Sequence, residues 1–479
     1  MKRELNWDKT LLFLLPIIFL SLAYYIPGNT IVHATFLAML VIIYELIFYK
    51  SRSVYGIDGI RYLSFPSLIY VSYTVLVAIP AVVLAASLEG ERVSDFIVSI
   101  LSFYLFFPLG LFIGNIFMPL DMKRMRSFEM PGLEKHDLDK IIYEILFILL
   151  TIMIGVVGLY LIRIDSYPIL ELIRNPEFYL SSFMMREEAF KLLKISMVEK
   201  YLFSMARDIF IPFLITGSLF LSIKYGIRKY WYLFGISLTL GLVNNSISLA
   251  KMPTAAIFLS LVTFYFLYKQ AFKVRTILFS LASVLSFPYL VVYYVSIPEL
   301  RHASILIPSI LRRIFIVPSD ILYQYFNIFP DFHGFLMGRS SKFFSWLHPE
   351  GGFNTANYVA RVYWNEPQTT GSANAIFLGN FWADFGLIGV ILSTFFVGWF
   401  IHVLYYQLLE LSDYKKNIFY MSITTALVTT LTFSFVSSSI TVLLVTKGLL
   451  VVPILLWMVR NKALFSLKSI NRIQSSNIR

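Results

Sequence analysis

The chain has 479 residues, of which 58% are hydrophobic and 14% charged, and its mean hydropathy is +0.73. Soluble domains run at roughly 45–50% apolar and ~25% charged residues, so soluble enzyme folds, disordered scaffolds and stapled secreted modules are excluded. Zero cysteines remove thiol catalysis, thiolate metal sites and disulfides together, and the net charge of +12 matters less than where it lies.

Apolar blocks near the ~20 residues that a helix needs to cross a hydrocarbon core recur along the chain. They predict an all-α polytopic membrane protein with about twelve spans, at 10–26, 30–49, 62–88, 96–118, 141–163, 208–223, 231–249, 252–268, 276–295, 377–408, 418–435 and 438–459. Leu11–Ile26 has no small-residue cleavage site after it and is expected to stay as an anchor. With the N-terminus inside, the short inner connections and the tail collect 24 of the 40 Lys and Arg residues. The short outer connections hold only Arg92 and Lys251. The positive-inside rule then puts both termini in the cytoplasm. The expected organisation is a five-helix membrane region over 1–163, an outer segment over 164–207, central membrane helices over 208–295, a large outer loop over 296–376, C-terminal membrane helices over 377–459, and a basic cytoplasmic tail over 460–479.

In the first outer segment, Met185–Arg207 reads as an amphipathic helix. Phe190, Leu193, Met197 and Tyr201 share one face, while Glu187, Lys191 and Lys194 share another. It suits a helix lying on the outer interface, or a lid packed on the bundle. Arg186 is a phosphate contact in one reading and a snorkelling surface arginine in the other.

Between two spans, Lys251 in Ser248-Leu249-Ala250-Lys251 has almost no loop around it. A charge at membrane depth is a functional candidate, or a lysine snorkelling to the outer headgroups. The second outer segment carries Arg301, His302, Arg312, Arg313, His333, Arg339, Lys342, His348 and Arg361, with Trp346, Trp364 and, just after it, Trp382. Helices are predicted at about 304–328 and 353–363, with proline and glycine punctuating the rest. Basic and aromatic residues interleaved in this way suit an anionic ligand with sugar faces to stack on, although tryptophan and tyrosine also populate membrane interfaces.

Asp384 opens an otherwise apolar span, where it is a partner for an outer arginine or a catalytic group. His402 and Glu144, near inner span ends, read as satisfied polar groups. Lys447 inside the last span has no partner legible in sequence. Asp137-Leu138-Asp139 looks like a metal–nucleotide motif, but it has no domain around it and is set aside.

Two stretches, Phe335-Leu336-Met337-Gly338-Arg339-Ser340-Ser341 and Gly371 through Gly389 with its Asp384-Phe385-Gly386-Leu387-Ile388-Gly389 end, resemble the Wzy-type O-antigen and oligosaccharide repeat-unit polymerases. The Ser248–Lys251 element resembles a position where such enzymes keep a basic residue. The resemblance implies a GT-C-like polymerase/ligase fold in the cytoplasmic (inner) membrane with its active site facing outside. It implies transfer of a growing glycan from a polyprenyl diphosphate carrier onto a fresh lipid-linked repeat unit, with no metal, nucleotide or other cofactor. Implied partners are the lipid-linked oligosaccharides, membrane lipids, a chain-length regulator and a flippase, and no nucleic acid.

That chemistry assigns expected roles. Negative charge grows on a departing diphosphate, and guanidinium forks stabilise it. Arg313 and Arg339 are the first choices, with Arg312, Arg361, Lys251 and Arg186 next. A histidine serves the acceptor hydroxyl as base, His333 first and His302 or His348 otherwise. Asp384 and Trp364 complete the expected substrate contacts. The rivals are a lipid-linked oligosaccharide flippase, an O-antigen ligase, which shares the fold, and a transferase using polyprenyl monophosphate sugars. That last type usually has acidic residues in its first outer loop, and Pro27-Gly28-Asn29-Thr30 has none.

Overall fold

The computed structural model describes residues 64–120, 136–164, 196–246, 251–269, 302–341, 345–413 and 418–454, apart from single positions within them, and scattered residues between. The spans expected at 10–26 and 30–49, most of the one expected at 276–295, and Arg186, lie outside the described residues. Among the described residues the secondary structure is helical, with no strand. Five helices are long and apolar enough to cross a membrane: α1 (Phe65–Ala85), α2 (Val93–Phe117), Tyr143–Arg163 within α3 (His136–Arg163), α4 (Val198–Tyr225) and Phe377–Leu409 within a longer helix described below. Two further helices outside that group, α5 (Arg228–Ser246) and α6 (Lys251–Lys269), follow α4 after a turn at Gly226, which adopts a left-handed backbone (φ 66°).

The segment between residues 302 and 376 is built on α7 (Ala303–Leu311) and α8 (Val317–Ile328), joined by a π-turn over Arg312–Ile316, and on α9 (Thr355–Trp364). These match the helices expected at about 304–328 and 353–363. Then come α10 (Phe377–Asp413) and α11 (Ile418–Ser437).

The helices pack because small residues let their backbones meet, and in lipid it is this close packing that drives association. α2 and α10 cross at Gly110 and Gly398. A methyl on Gly398 would stand 2.1 Å from the Phe107 carbonyl oxygen, and one on Gly110 2.2 Å from that of Phe395. Nearby, Gly114 leaves room for the His402 ring, whose Nε2–H donates to the Met118 carbonyl at 2.9 Å. His402, expected to be a satisfied polar group, is satisfied at Nε2 only: its Nδ1 is buried with no hydrogen-bond partner among the described residues. α1 adds an aromatic stack on α2, with the Tyr73 and Phe103 centroids 3.6 Å apart, and reaches α11 through the Ser72 and Thr432 hydroxyls, 2.9 Å apart. α3 lies at the edge of the bundle, with Ile148, Ile152 and Leu159 exposed; an apolar helix with an open apolar face suits lipid.

Three features depart from straight spans. First, the chain expected as a separate interfacial helix over Met185–Arg207 is, in its described part, continuous with the next span. Ser196 caps it with a capping box closed by Glu199, and the helix runs on through a π-turn at Ala206–Phe210 into Ile211–Tyr225. Second, α10 is broken at Gly386, whose backbone (φ 60°, ψ −147°) belongs to a region that is essentially glycine's alone. Third, the last span does not run as one helix. A π-turn over Val442–Thr446 ends at Lys447 and a left-handed Gly448 before helix resumes at Val451.

Candidate functional site

The site is built on the break in α10. A helix end leaves carbonyls without partners, and here the chain segment after α8 takes them. Leu336 N–H donates to Ala383 O at 2.9 Å, and Met337 N–H donates to Asp384 O at 3.0 Å. The Asp384 side chain completes the dock, accepting Ser340 N–H at 3.0 Å and the Ser340 hydroxyl. Asp384 as a whole is 3% exposed. Phe335 closes over Gly386, 3.0 Å from where a β-carbon would stand. The two stretches that carry the family resemblance thus meet in space. Asp384, expected to pair with an arginine or act in catalysis, instead anchors Ser340, the neighbour of Arg339.

Two aromatic contacts then bring Arg339 and His333 together. Phe353 N–H donates to Arg339 O at 2.8 Å, which places the Phe353 ring beneath the Arg339 guanidinium, 5.9 Å from its centroid. The His333 ring packs against the same phenyl at 4.9 Å, against Tyr358 of α9 at 5.4 Å and against Phe329 at 5.7 Å. His333 Nδ1 lies 2.8 Å from the Gly334 carbonyl oxygen. A carbonyl only accepts, so Nδ1 carries the proton and the neutral ring keeps its lone pair on Nε2. Arg339 is half-buried; its Nη1 donates to Glu350, which is largely exposed, and its Nε to Gly351 O at 3.3 Å. His348 fixes the loop from beneath, donating through Nε2 to Met337 O at 2.8 Å.

Helix α9 carries the remaining candidates on its outer side. Arg361 and Trp364 are exposed, one and two turns beyond Tyr358, and Gly371 folds the following loop against the Trp364 ring. Asn357 holds that loop through two donated bonds, to Thr369 O at 3.1 Å and to Gly371 O at 2.9 Å. At its far end, the Tyr363 hydroxyl donates to Asp320 at 2.7 Å. Burial, with the Asp320 hydrogen bond and charge, pushes this phenol up to about 12, while nearby Arg312 opposes the rise. Arg312 and Arg313 lie exposed on the π-turn. Arg312 therefore connects to α9, whereas no described contact joins Arg313 to the His333–Arg339 group. His302 precedes α7 as its exposed cap residue, and Lys251 is the first residue of α6.

The layer is clamped to the bundle at a second point. Arg92, in the short connection between α1 and α2, makes a bidentate pair with Asp331, at 2.9 Å and 2.5 Å, and a bond to Asp95 at 3.0 Å. Its guanidinium holds the Asp331 carboxyl below the usual range. Deeper, Trp382 donates its indole N–H to Phe329 O at 2.9 Å, and Tyr325 donates its hydroxyl to Ala373 O at 2.9 Å; burial pushes the Tyr325 phenol upward. An apolar trough of about 550 Å³ between α3 and α5, lined by residues such as Val157, Gly158, Trp231 and Gly235, holds none of these candidates.

Sequence reasoning missed Ser340, Glu350, Phe353 and Tyr358. Ser340 and Glu350 flank glycines in the loop, and only their distant partners give them meaning. No family model, curated protein or solved structure matches the chain.

Proposed function

We propose that the chain is a glycosyltransferase that polymerises polyprenyl-diphosphate-linked oligosaccharide repeat units on the outer face of the cytoplasmic membrane, within a GT-C-like bundle of about twelve spans. The observation that carries this reading is the docking of Leu336–Ser341 on the break at Gly386, which puts an arginine fork and a histidine base around one phenyl ring beside apolar helices. A lipid tail suits the helices, and a diphosphate and a sugar suit the loop.

In this reading the acceptor hydroxyl attacks the donor's anomeric carbon and the bond from that carbon to the diphosphate oxygen breaks. The hydroxyl proton passes to His333 Nε2, and the electron pair leaves with the diphosphate, whose new charge Arg339 meets. Glu350 neutralises Arg339 beforehand; being exposed, it can yield to a stronger anion. Asp384 acts through Ser340 as a positioning residue. Arg361, Arg312 and Trp364 flank the glycan, and Lys251 and Arg186 are further contacts to the carrier.

The broken α10 also suits a lipid-linked oligosaccharide flippase, since interrupted spans line transport sites. An O-antigen ligase would differ only in its acceptor. Glycan length in cells lacking the protein tests the three. Single repeat units on the carrier support the polymerase, long unattached chains a ligase, and units trapped on the inner leaflet a flippase.

A further inference from the structure

A second group of charges lies inside the bundle, away from the loop described above. Arg207 and Asp208 fall on the π-turn Ala206–Phe210 of α4, where the Arg207 fork grips the Asp208 carboxylate at 2.8 Å through Nε and 3.1 Å through Nη2. The turn frees the Asp208 carbonyl, and the Thr430 hydroxyl of α11 donates to it at 2.7 Å. Lys447 follows another π-turn, Val442–Thr446, and Gly448 beside it presses on Met205, 2.7 Å from where its β-carbon would stand, and on Ile209. Lys447, the residue before Gly448, therefore stands beside the turn that carries Arg207 and Asp208. Glu199, paired with Arg163 at 2.6 Å, marks where α4 begins; Asp208 lies about 13 Å further along the helix axis.

Charges at that depth are expensive. One carboxylate offsets one of the two cations, so the cluster keeps a net positive charge with no acidic partner among the described residues. Two of the fork's five donors go to Asp208, which leaves Nη1 and the Lys447 ammonium to a ligand. The Arg207 side chain remains 31% exposed, so the cluster is open on one side. π-turns of this kind gather at functional sites, and here one carries Arg207 and Asp208 while another, followed by Lys447, packs beside it through Gly448. A fork beside a point charge suits phosphate oxygens, which take both.

We propose that Arg207 and Lys447 form a binding site for a phosphate group within the membrane bundle, with Asp208 holding the Arg207 guanidinium in place. The site stands whether or not the outer loop is a glycosyltransferase centre. Its ligand is either the phosphate of a lipid or a free phosphate that reaches the cluster from the aqueous side.

Purified full-length protein, in phosphate-free detergent, would be titrated with a polyprenyl phosphate, with the matching polyprenol and with inorganic phosphate, following tryptophan fluorescence. The wild type should bind a phosphate-bearing probe saturably and ignore the polyprenol. Response to the polyprenyl phosphate alone identifies a lipid; response to inorganic phosphate as well identifies a free-phosphate site. Lys447→Met should weaken binding roughly thirtyfold or more, as loss of a buried charge partner does, while Lys447→Arg should retain it. Arg207→Lys, which keeps charge and loses the fork, should also weaken it and serves if Lys447→Met does not fold. No saturable binding by the wild type, or equal affinity in the wild type and whichever of Lys447→Met and Arg207→Lys is tested, would overturn the assignment.

Discussion

Asp384→Ala removes the anchor on which the loop sits, and the structure sets its size. The carboxylate accepts from Ser340 N–H at 3.0 Å and from the Ser340 hydroxyl, and it is nearly fully buried. Hydrogen bonds to a charged group contribute about 1.5–3 kcal/mol each, and a donor left unsatisfied costs about 1–3 kcal/mol. Against this, removing a buried carboxylate recovers a desolvation penalty of several kcal/mol. The half-buried Ser340 hydroxyl can also recruit water, so the net loss should be about 1–3 kcal/mol. Asp384→Asn keeps a carbonyl for the Ser340 N–H and should cost less. Ser340→Ala paired with Asp384→Ala in a double-mutant cycle should show a coupling of about 1–2 kcal/mol, as neighbours sharing a bond do. Denaturant unfolding in detergent gives the stabilities, and gel analysis of glycan length gives the activity, which should fall in step because Arg339 follows Ser340. Additive effects within error, or an Asp384→Ala protein as stable and active as the wild type, would show that the loop is held by something else.

Arg339→Ala and Arg339→Lys should both abolish chain extension, the lysine because a point charge replaces the fork; Arg313→Ala should leave most of it, as measured on the same gels. Glu350→Gln should release the Arg339 guanidinium and tighten binding of the lipid-linked donor several-fold in a titration. Asp331 is held below its ordinary value of ~3.9 by Arg92. A depressed carboxylate contributes stability above its unfolded pKa and loses it as pH falls through the folded value. Asp331→Asn should therefore lower the unfolding midpoint at pH 5 to 7, and the difference from wild type should shrink as pH falls below ~3.9 through the folded value. Gly398→Leu should abolish a monodisperse elution peak, because its side chain would enter the Phe107 backbone.

Much of the bundle was legible because lipid imposes a simple rule: apolar blocks of spanning length become helices. The sequence positions of α1, α2, α3 and α10 follow from that rule, and the helices at Ala303–Ile328 and Thr355–Trp364 from apolar periodicity and punctuation. The breaks were not legible. Gly386 sits in Asp384-Phe385-Gly386-Leu387, which reads like any glycine in a membrane helix until the backbone shows a conformation that only glycine adopts. Arg207 read as the end of an interfacial helix and Asp208 as the start of the next span, because a π-turn that joins the two leaves no mark in hydropathy. His333 and Arg339 were singled out by residue chemistry alone; the phenyl ring that joins them, fourteen residues after Arg339, had no signal in the sequence.

The arrangement explains why a polar loop can be held rigidly at the edge of a hydrocarbon layer. An intact α10 would bond its own carbonyls and offer the loop nothing. Breaking it at Gly386 exposes two carbonyls in a buried setting, where leaving them unpaired costs more than ordering the loop that satisfies them. Asp384 then adds a charged acceptor at the same place, and α2 fixes the rest of α10 through the Gly110–Gly398 crossing. The position of Arg339 is thus set by membrane helices rather than by loop packing, so the Gly386→Ala substitution should displace Arg339 without touching it. Strain at a left-handed site costs about 1–3 kcal/mol, and chain extension should drop with Arg339 chemically intact. Normal extension by Gly386→Ala would mean that the loop finds its place without the break.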